Sequence, residues 1–488
     1  MADLHYLGAI ALAAEIAAKR VSSVETVRHL IDRIEARDAT INAVAVRDFD
    51  RALIAAADAD ARLARGERTP LLGVPMLAKE SFDLAGTPTT WGFIWARDAI
   101  AGEDALAIAR LKAAGAVVLG KSNAMEGLWD WQTYNPVYGT TNNPWDVSRT
   151  PGGSSGGSAA SLAAGFAPIE LGSDIAGSLR VPAHFCGVCA HKPSWGLIPG
   201  RGHHPPRAIA SPFDFGHDLA VTGPMARSVA DLLLLSKLMM PADDRGRGKG
   251  YRTELPAARG QRIADFRVLI LDTSGLLPLA TEVATVLEEL ACRIERAGAT
   301  VARTSALQPD LIVQAHVYQH LLMSFSGSFL PQPLYEEAVR KAVKLDPADR
   351  SFRATRERAS ASSHRDWQSM NGERHALARQ WALLFDSFDV VLKAPAPTAA
   401  FPHNQNGSQE ERRLMIDDVA YDYLDQFGHI GVATAPGLPA TVIPAGRTSS
   451  FMPVGVEIVG PYLEDLTTLT FANLLEQEFG GFLPPRGW

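Results

Sequence analysis

The sequence is 488 residues long, with 47% hydrophobic and 21% charged residues, proportions that are ordinary for a globular enzyme and exclude a disordered chain. Its 47 basic and 54 acidic residues give a formal net charge of -7, so the totals do not indicate a nucleic-acid-binding protein. The three cysteines, Cys186, Cys189 and Cys292, are too few for a disulfide scaffold and favour a reducing, cytoplasmic location.

The first residues, from Met1 to Lys19, are largely apolar, but Glu15 interrupts them and no basic region precedes them. They are therefore predicted to form an amphipathic helix rather than a signal peptide or a membrane anchor. No other window offers about 18 consecutive apolar residues, as a membrane-spanning helix requires. We expect no association with a membrane.

Residues 1–65 are predicted to be helical, and Ser22 and Glu25 have the spacing of a capping box. Beyond them, strand-like and helix-like segments alternate, which predicts a layered α/β fold. Strands are predicted over 73–78, 116–119, 167–171, 266–271, 390–393, 440–443 and 454–459. Helices are predicted over 103–114, 158–164, 229–238, 281–297 and 463–477.

Residues from about 305 to 385 interrupt this alternation. They are polar, charged and typical of helices, and no strand pattern returns until Phe388. We interpret them as a helical insertion or lid rather than as a separate domain.

The most informative segment reads TPGGSSGGSAASLAAGFAPIELGSDIAGSLRVP and covers residues 150–182. Four glycines flank Ser154 and Ser155, and they permit positive φ angles and close backbone approach where backbone groups must face a ligand. A flexible linker is the alternative. Small apolar residues at helical spacing follow directly, however, and favour the start of a packed helix.

Ser178 lies after a second tight turn, where a run of small residues can place a hydroxyl beside several inward-facing N–H groups. That arrangement is typical of a nucleophile next to an oxyanion hole, although a serine in this position can also cap a helix. A serine nucleophile needs a base. Lys79 ends an apolar, strand-like segment and is therefore a candidate for burial, which would lower the pKa of its amine. The alternative is a lysine at the solvent end of the strand.

Three separated segments resemble the amidase signature family: GVPMLAKES around Lys79, GGSSGGSAA around Ser154 and GSDIAGSLRVPAHFCGV around Ser178. Ser154 and Ser178 are 24 positions apart, as the two catalytic serines of that family are. The segments AGAVVLGKSN, NNPWDVSRTPGG, SVADLLLL and VGVEIVGPYLEDLTTL are similar to the family as well. The resemblance covers nearly the whole chain and is weakest from about 305 to 410.

The resemblance implies a three-layer α/β/α fold with a large, twisted, mixed central β-sheet covered by helices. It implies that Lys79 is the base, that Ser154 is a bridging serine, usually held in a cis peptide, and that Ser178 is the nucleophile. The family's oxyanion hole corresponds to the backbone N–H groups of four residues: Ile175, Ala176, Gly177 and Ser178.

The activity that follows from the resemblance is hydrolysis of an amide carbon–nitrogen bond. Neutral Lys79 would accept a proton from Ser154, which would accept one from Ser178 as that hydroxyl attacks the substrate carbonyl. No cofactor and no metal is expected, the substrate is expected to be a small molecule, and carbamate or ester cleavage stays open. A homodimer is an expectation from the family alone.

On this interpretation, residues 1–488 form a single amidase domain. Within it, residues 1–65 supply N-terminal helices, 66–240 form the catalytic core and 305–385 form the helical insertion. A small apolar or aryl group of the substrate is predicted to contact Met125, Leu128, Trp129 and Trp131, although these side chains can equally belong to the core. Candidates for the opposite wall lie in the insertion: Tyr318, Leu321, Met323, Phe325 and Phe329.

Three other motifs indicate different chemistry. Residues 115–122 match a phosphate-binding loop, but the interior of the motif is apolar and strand-like, which argues against nucleotide binding. GGSSGG also satisfies the GxSxG pattern of Ser-His-Asp esterases, our second hypothesis, for which His403 or His429 would supply the histidine. The pair Cys186 and Cys189 lacks further ligand-like partners and favours buried cysteines in a strand over a zinc site.

Overall fold

The computed structural model describes residues 4–206, 217–241, 245 and 247–488. Within these residues, fourteen α-helices pack around a large mixed β-sheet. The helices are α1 (Ala9–Ala17), α2 (Ser23–Ile41), α3 (Phe49–Ala64), α4 (Leu106–Ala113), α5 (Gly156–Ala163), α6 (Arg180–Cys186), α7 (Val229–Met239), α8 (Thr281–Arg296), α9 (Leu311–Gly327), α10 (Gln332–Lys344), α11 (Phe352–Ala359), α12 (His364–Ser387), α13 (Phe427–Thr434) and α14 (Asp465–Phe479).

Fifteen strands are found in the same residues, eleven of them in the central sheet. They are β1 (Val44–Arg47), β2 (Pro75–Lys79), β3 (Val117–Ser122), β4 (Tyr134–Asn135), β5 (Gly139–Thr140), β6 (Ile169–Asp174), β7 (Cys189–Lys192), β8 (Val221–Ala226), β9 (Arg267–Ile270), β10 (Thr300–Ala302), β11 (Val390–Lys393), β12 (Arg413–Ile416), β13 (Val419–Asp422), β14 (Ala440–Arg447) and β15 (Pro453–Val459).

The central sheet has the order β1-β3-β2-β6-β8-β7-β14-β15-β11-β9-β10. Strands β3, β2 and β6 run parallel to one another, as do β11, β9 and β10. The strands between these two groups pair antiparallel. The sheet is therefore mixed, and β4–β5 and β12–β13 form two small separate hairpins.

Helices cover both faces of the sheet. In β2, Met76 and Ala78 pack with α4, α7 and α14, whereas Leu77 between them packs with α2, α3 and α5. Successive side chains of a strand point to opposite faces, so these two clusters mark the two helical layers. The predicted three-layer α/β/α fold is confirmed, and the apolar run of this strand is explained by burial on both faces.

Each strand predicted from the sequence has a counterpart in the sheet, and the strand at Val390–Lys393 has the predicted bounds. Strand β7 begins at Cys189 of the predicted cysteine strand, and the sheet also contains β1, β8 and β10, for which no strand was predicted. The helical prediction for residues 1–65 is wrong over β1, a four-residue strand between α2 and α3. Strand β8 contains Gly223 and Pro224, a pair that indicates a turn rather than a central strand.

Helices α9 to α12 account for most of residues 305–385 and confirm the helical character of this segment. Helix α9 packs against α11, α12 and α13, and Trp381, Leu384 and Phe385 of α12 share a buried cluster with strands β9 and β11, so two helices join the segment to the rest of the structure. Whether it moves as a lid stays a prediction, as do the domain boundaries. In the described part of the chain, no helix combines the length and the apolar character needed to cross a bilayer.

Candidate active site

The candidate site lies where two parallel strands end side by side. Strands β2 and β6 pair in parallel, with Ala78 opposite Leu171, so their carboxyl ends meet at one edge of the sheet. Lys79 is the last residue of β2, and Asp174 is the last residue of β6. In α/β sheets this edge is where ligands bind, because the loops that follow the strands are free to form a site.

Three side chains form a continuous polar chain at this edge. The Nζ atom of Lys79 lies 2.7 Å from the Oγ atom of Ser154, which lies 2.9 Å from the Oγ atom of Ser178. A fourth group, the Ser173 hydroxyl, lies 3.0 Å from the same lysine nitrogen. The structure therefore brings together Lys79, Ser154 and Ser178, which are separated by 75 and 24 positions in sequence.

Lys79 is fully buried, and its polar contacts within the described residues are the hydroxyls of Ser154 and Ser173. Burial lowers the pKa of the amine from 10.5 to about 7, and the charge of Asp174 opposes that shift only in part. A large fraction of this lysine is therefore neutral near pH 7. The alternative in which the strand ends in solvent is wrong.

Ser154 lies in a tight backbone turn in which the preceding residue, Gly153, must be glycine. The peptide bond between Gly153 and Ser154 is cis. A Cβ atom on Gly153 would lie 2.4 Å from the carbonyl oxygens of Asp130 and Gln132, which is closer than any side chain can approach. The density of glycine in this segment therefore reflects tight packing and not a flexible linker.

The turn that carries Ser178 is anchored by one buried carboxylate. Asp174 accepts hydrogen bonds from the backbone N–H of Gly177, at 2.9 Å, and of Leu179, at 3.1 Å. The guanidinium of Arg180 donates to both oxygens of the same carboxylate. Burial alone would raise the pKa of Asp174, but the Arg180 charge lowers that pKa to about 2, so Asp174 stays ionised.

The comparisons with known proteins agree with this geometry. A family model of amidases matches residues 25–469. The chain belongs to the amidase signature family. It is an enzyme of the hydrolase class that acts on amide carbon–nitrogen bonds, as the sequence motifs predicted.

Individual relatives span almost the same length. One subunit of the glutamyl-tRNA(Gln) amidotransferase of Ralstonia nicotianae is 33% identical, over 96% of this chain and 96% of its own. The indoleacetamide hydrolase of Bradyrhizobium diazoefficiens is 32% identical, over 98% of this chain and 88% of its own. A solved structure, described as a vestigial protein complex that reveals the origins of an s-triazine catabolic enzyme, superposes with a TM-score of 0.82 at 26% identity, covering 98% of this chain and 100% of that one.

The four predicted oxyanion donors of this amidase differ in their contacts. The N–H of Gly177 already donates to Asp174, so it is engaged inside the turn. Ile175, Ala176 and Ser178 remain as candidates. Gly177 itself has a φ of +91°, and a Cβ atom there would lie 2.5 Å from the side chain of Ile430, so the turn requires glycine at this position.

The predicted substrate-contacting residues lie in different environments. Leu128 and Trp129 are half-buried, and Met125 is buried. Trp131 is buried against Phe427, and its indole N–H donates to the carbonyl of Ala176 at 2.6 Å. Trp131 therefore contacts the turn that carries Ser178 directly, whereas a contact between these four residues and a substrate stays a prediction.

Residues of the helical insertion also divide into two groups. Tyr318 and Leu321, predicted for the opposite wall, are fully buried in α9, and the Tyr318 hydroxyl donates to the Ile175 carbonyl at 3.1 Å. Met323 and Phe325 are half-buried, and Phe329 is exposed. Phe325 lines a cavity of about 650 Å³ between α9, α10 and α12.

The other motifs have structural explanations. Residues 117–122 of the loop-like match form β3, and Lys121 within it donates to the Pro88 carbonyl and the Thr89 hydroxyl. His403 bonds to Asn142, and His429 bonds to the carbonyl of Leu277. The esterase hypothesis therefore gains no contact between either histidine and the glycine-serine loop.

The prediction that both cysteines of the pair lie in a strand is wrong for one of them. Cys186 ends helix α6, and Cys189 begins strand β7. Burial raises the pKa of both thiols well above its usual range. Among the residues that the structure describes, no group of three or more His, Cys, Asp or Glu is placed to hold a metal ion.

Three residues of the site were not assigned a role from sequence: Ser173, Asp174 and Arg180. All three are buried, and two of them form an ion pair in which neither side chain is exposed. An aspartate and an arginine six positions apart, inside a segment of otherwise small and apolar residues, were the available signal. Isolated buried charges are too costly to occur unpaired, so the sequence could have predicted this pair.

Proposed function

We propose that this amidase cleaves its substrate through an acyl-enzyme on Ser178, with Ser154 as the proton shuttle and neutral Lys79 as the base. The single observation that carries the proposal is the buried chain of 2.7 Å and 2.9 Å contacts from the amine to the two hydroxyls. Proton transfer requires such contacts, and a hydroxyl is a weak nucleophile without them.

Acylation begins when the Ser178 oxygen attacks the amide carbonyl carbon. The Ser178 proton passes to Ser154 as the Ser154 proton passes to the Lys79 amine, so the lysine becomes an ammonium and the carbonyl oxygen becomes an oxyanion. The oxyanion is stabilised by N–H groups of the turn, each of which is typically worth about 3 kcal/mol of barrier. The engaged N–H of Gly177 leaves Ile175, Ala176 and Ser178 for this role.

The leaving group needs a proton, because an amide nitrogen departs as an amine and not as an anion. Ser154 donates its proton to that nitrogen, and the Lys79 ammonium returns one to Ser154. The carbon–nitrogen bond breaks and the acyl group remains on Ser178. Water then attacks the acyl-enzyme along the same relay, which releases the carboxylic acid and restores the three side chains.

The substrate is proposed to be a small amide with an apolar or aryl substituent. Tyr318 contacts the turn, and Phe325 lies seven residues further along α9, on the same face and about 10 Å away. Phe325, Tyr335 and Trp367 supply aromatic surface to the cavity of about 650 Å³ between α9, α10 and α12. The indoleacetamide hydrolase among the relatives supports an aromatic substituent.

The decisive experiment on the nucleophile replaces Ser178 with alanine. We expect turnover to fall to background while circular dichroism and the melting temperature stay close to those of the wild type. A fluorophosphonate should add its mass to one peptide, the one that contains Ser178. Substantial residual turnover of Ser178→Ala would contradict the assignment.

Ser155→Ala is the matched control, because Ser155 is also buried in the glycine-serine loop but its hydroxyl donates to the Ser173 carbonyl, at 3.4 Å, and not to the relay. We expect this variant to keep most of its activity. Its inactivation, with Ser178→Ala still active, would support the esterase hypothesis instead.

A panel of substrates measures the substituent preference separately. Indole-3-acetamide, an acetanilide, acetamide, glutamine, an aryl ester and an aryl carbamate are compared by kcat/KM. We expect the aryl amides to exceed acetamide and glutamine. A preference for acetamide would disprove the aryl substituent without affecting the assignment of the nucleophile.

A further inference from the structure

The turn from Asp174 to Ser178 is held from outside by two side chains of distant elements. The Tyr318 hydroxyl on α9 donates to the carbonyl oxygen of Ile175, at 3.1 Å. The Trp131 indole N–H donates to the carbonyl oxygen of Ala176, at 2.6 Å. Both donor side chains are buried, and the Ala176 carbonyl is buried with Trp131, whereas the carbonyl that accepts from Tyr318 belongs to the half-buried Ile175.

Each of these bonds fixes the orientation of a whole peptide group. A peptide is planar, and in the trans form its C=O and the following N–H point in opposite directions. The bond to Trp131 therefore directs the Gly177 N–H away from Trp131, and that N–H is the one that donates to Asp174. By the same rule, the bond from Tyr318 directs the Ala176 N–H away from α9.

The N–H groups of the two peptides, Ile175–Ala176 and Ala176–Gly177, therefore differ in their hydrogen bonding. The Gly177 N–H is engaged by a carboxylate inside the turn. The Ala176 N–H belongs to the peptide that Tyr318 holds, and it is one of the three donors that remain for an oxyanion. A rotation of this peptide would replace that donor with a carbonyl oxygen, which would repel a developing negative charge.

Two properties of Tyr318 favour a stable hydrogen bond to this peptide. Burial raises the pKa of its phenol, so it remains a donor across the whole working range of pH. Its ring is closely packed on α13, since a Cβ atom on Gly431 would lie 2.6 Å from the ring. Neither the proton nor the position of the ring is therefore free to change.

We propose that Tyr318 is a positioning residue for the oxyanion hole, and that the helical insertion thereby contributes to catalysis. The inference rests on the proposed function, because it presumes that Ser178 generates an oxyanion beside this turn. Tyr318 touches no reacting atom. It acts through the Ile175 carbonyl, by keeping the Ala176 N–H available.

The test is Tyr318→Phe, which keeps the ring and removes the hydroxyl. Loss of one complete oxyanion donor typically lowers kcat by about 10² to 10³-fold, so a misplaced donor is expected to lower kcat by about 10 to 100-fold. KM should change by less than about threefold, since the neutral carbonyl gains little from the donor. Affinity for a trifluoromethyl ketone, which forms an oxyanion on Ser178, should fall in parallel with kcat/KM.

Gln319→Met is the matched control. Gln319 is the next residue of α9 and is also buried. Its substitution removes one hydrogen bond, which Arg356 donates to the Gln319 side chain and which does not involve the turn. We expect its kcat and its trifluoromethyl ketone affinity to match the wild type. A full kcat for Tyr318→Phe, or a lower kcat with unchanged ketone affinity, would overturn the proposal.

A second variant covers the case in which Tyr318→Phe does not fold. Incorporation of 3-fluorotyrosine at position 318 keeps the shape of the side chain and makes the phenol a stronger donor. An unchanged or higher kcat with tighter ketone binding supports the proposal, and a tenfold loss of both overturns it. In either case, fluorophosphonate labelling of Ser178 tests the proposed function independently.

Discussion

Two buried lysines each end a strand of the central sheet, but one contacts neutral hydroxyls and the other contacts a carboxylate. Lys79 is the last residue of β2, and Lys393 is the last residue of β11. Lys79 contacts the hydroxyls of Ser154 and Ser173, whereas Lys393 donates to the carboxylate of Glu457, at 2.7 Å. All of these side chains are buried.

The difference shows how the same residue type can suit the role of the proposed base in one place and of an ion-pair partner in the other. Desolvation lowers the pKa of both amines, but a carboxylate stabilises the ammonium and a hydroxyl does so only weakly. Asp174 is the carboxylate whose charge acts on Lys79, and it is already paired with Arg180. The fold therefore gives one lysine hydroxyl partners and supplies a carboxylate to the other.

The largest effect is expected when the hydroxyl-bound lysine is removed. Lys79→Met should lower kcat/KM by roughly 10³-fold or more, because the proposed relay loses its base. The melting temperature should not fall, since a partly charged buried amine is replaced by an apolar side chain. Steady-state kinetics and thermal melts measure the two quantities.

Lys192→Met is the control for Lys79→Met, because burial also lowers the pKa of Lys192 to about 7, but its amine contacts the Pro193 carbonyl. We expect Lys192→Met to stay within about tenfold of the wild type, a loss that corresponds to about 1.4 kcal/mol. Retained activity in Lys79→Met would be evidence for the esterase hypothesis, in which this lysine has no role.

The second effect is one of stability, at the ion pair. Lys393→Met leaves the Glu457 carboxylate with Arg180 as its remaining partner, at 2.8 Å, and breaking a buried pair typically costs about 3 to 5 kcal/mol. Urea unfolding should show this loss of free energy. The double variant Lys393→Met with Glu457→Gln should recover most of it, because no carboxylate is then left short of a partner.

The double variant also separates the two lysine environments. If it is as unstable as Lys393→Met, the loss comes from packing around position 393 and not from the charge. The matching pair at the other site, Lys79→Met with Ser173→Ala, should show no such recovery, because a hydroxyl without its lysine carries no net charge.

How much of this can be predicted from the sequence depends on the range of the interaction. The Lys79, Ser154 and Ser178 group is recognisable because each residue lies in a local motif of the family, and strands β2, β3 and β11 are recognisable because each contains an uninterrupted apolar run. Strand β8 is not, because Gly223 and Pro224 have a local preference for turns, which pairing on both sides overrides.

Contacts between distant segments cannot be predicted in this way. Tyr318 was predicted only as a substrate wall, and its bond to the Ile175 carbonyl joins residues 143 positions apart. Trp131 was likewise predicted to contact a substrate and is found on the Ala176 carbonyl. A periodic pattern indicates which side chains are buried, but not which backbone carbonyl a buried donor reaches.

The smallest and most graded effect is the dependence of activity on pH. Because the proposed mechanism requires a neutral Lys79, whose pKa is about 7, kcat/KM should rise about tenfold per pH unit below pH 7 and should level off above it. The Lys393→Met and Glu457→Gln double variant should keep this midpoint, since that ion pair lies outside the relay.

Lys192 also has a pKa of about 7, so the pH profile of Lys192→Met is needed to assign the midpoint to one of the two lysines. A midpoint that persists in Lys192→Met belongs to the hydroxyl-bound lysine, whereas a midpoint that disappears there would transfer the titration to Lys192 and remove the neutral Lys79 from the mechanism.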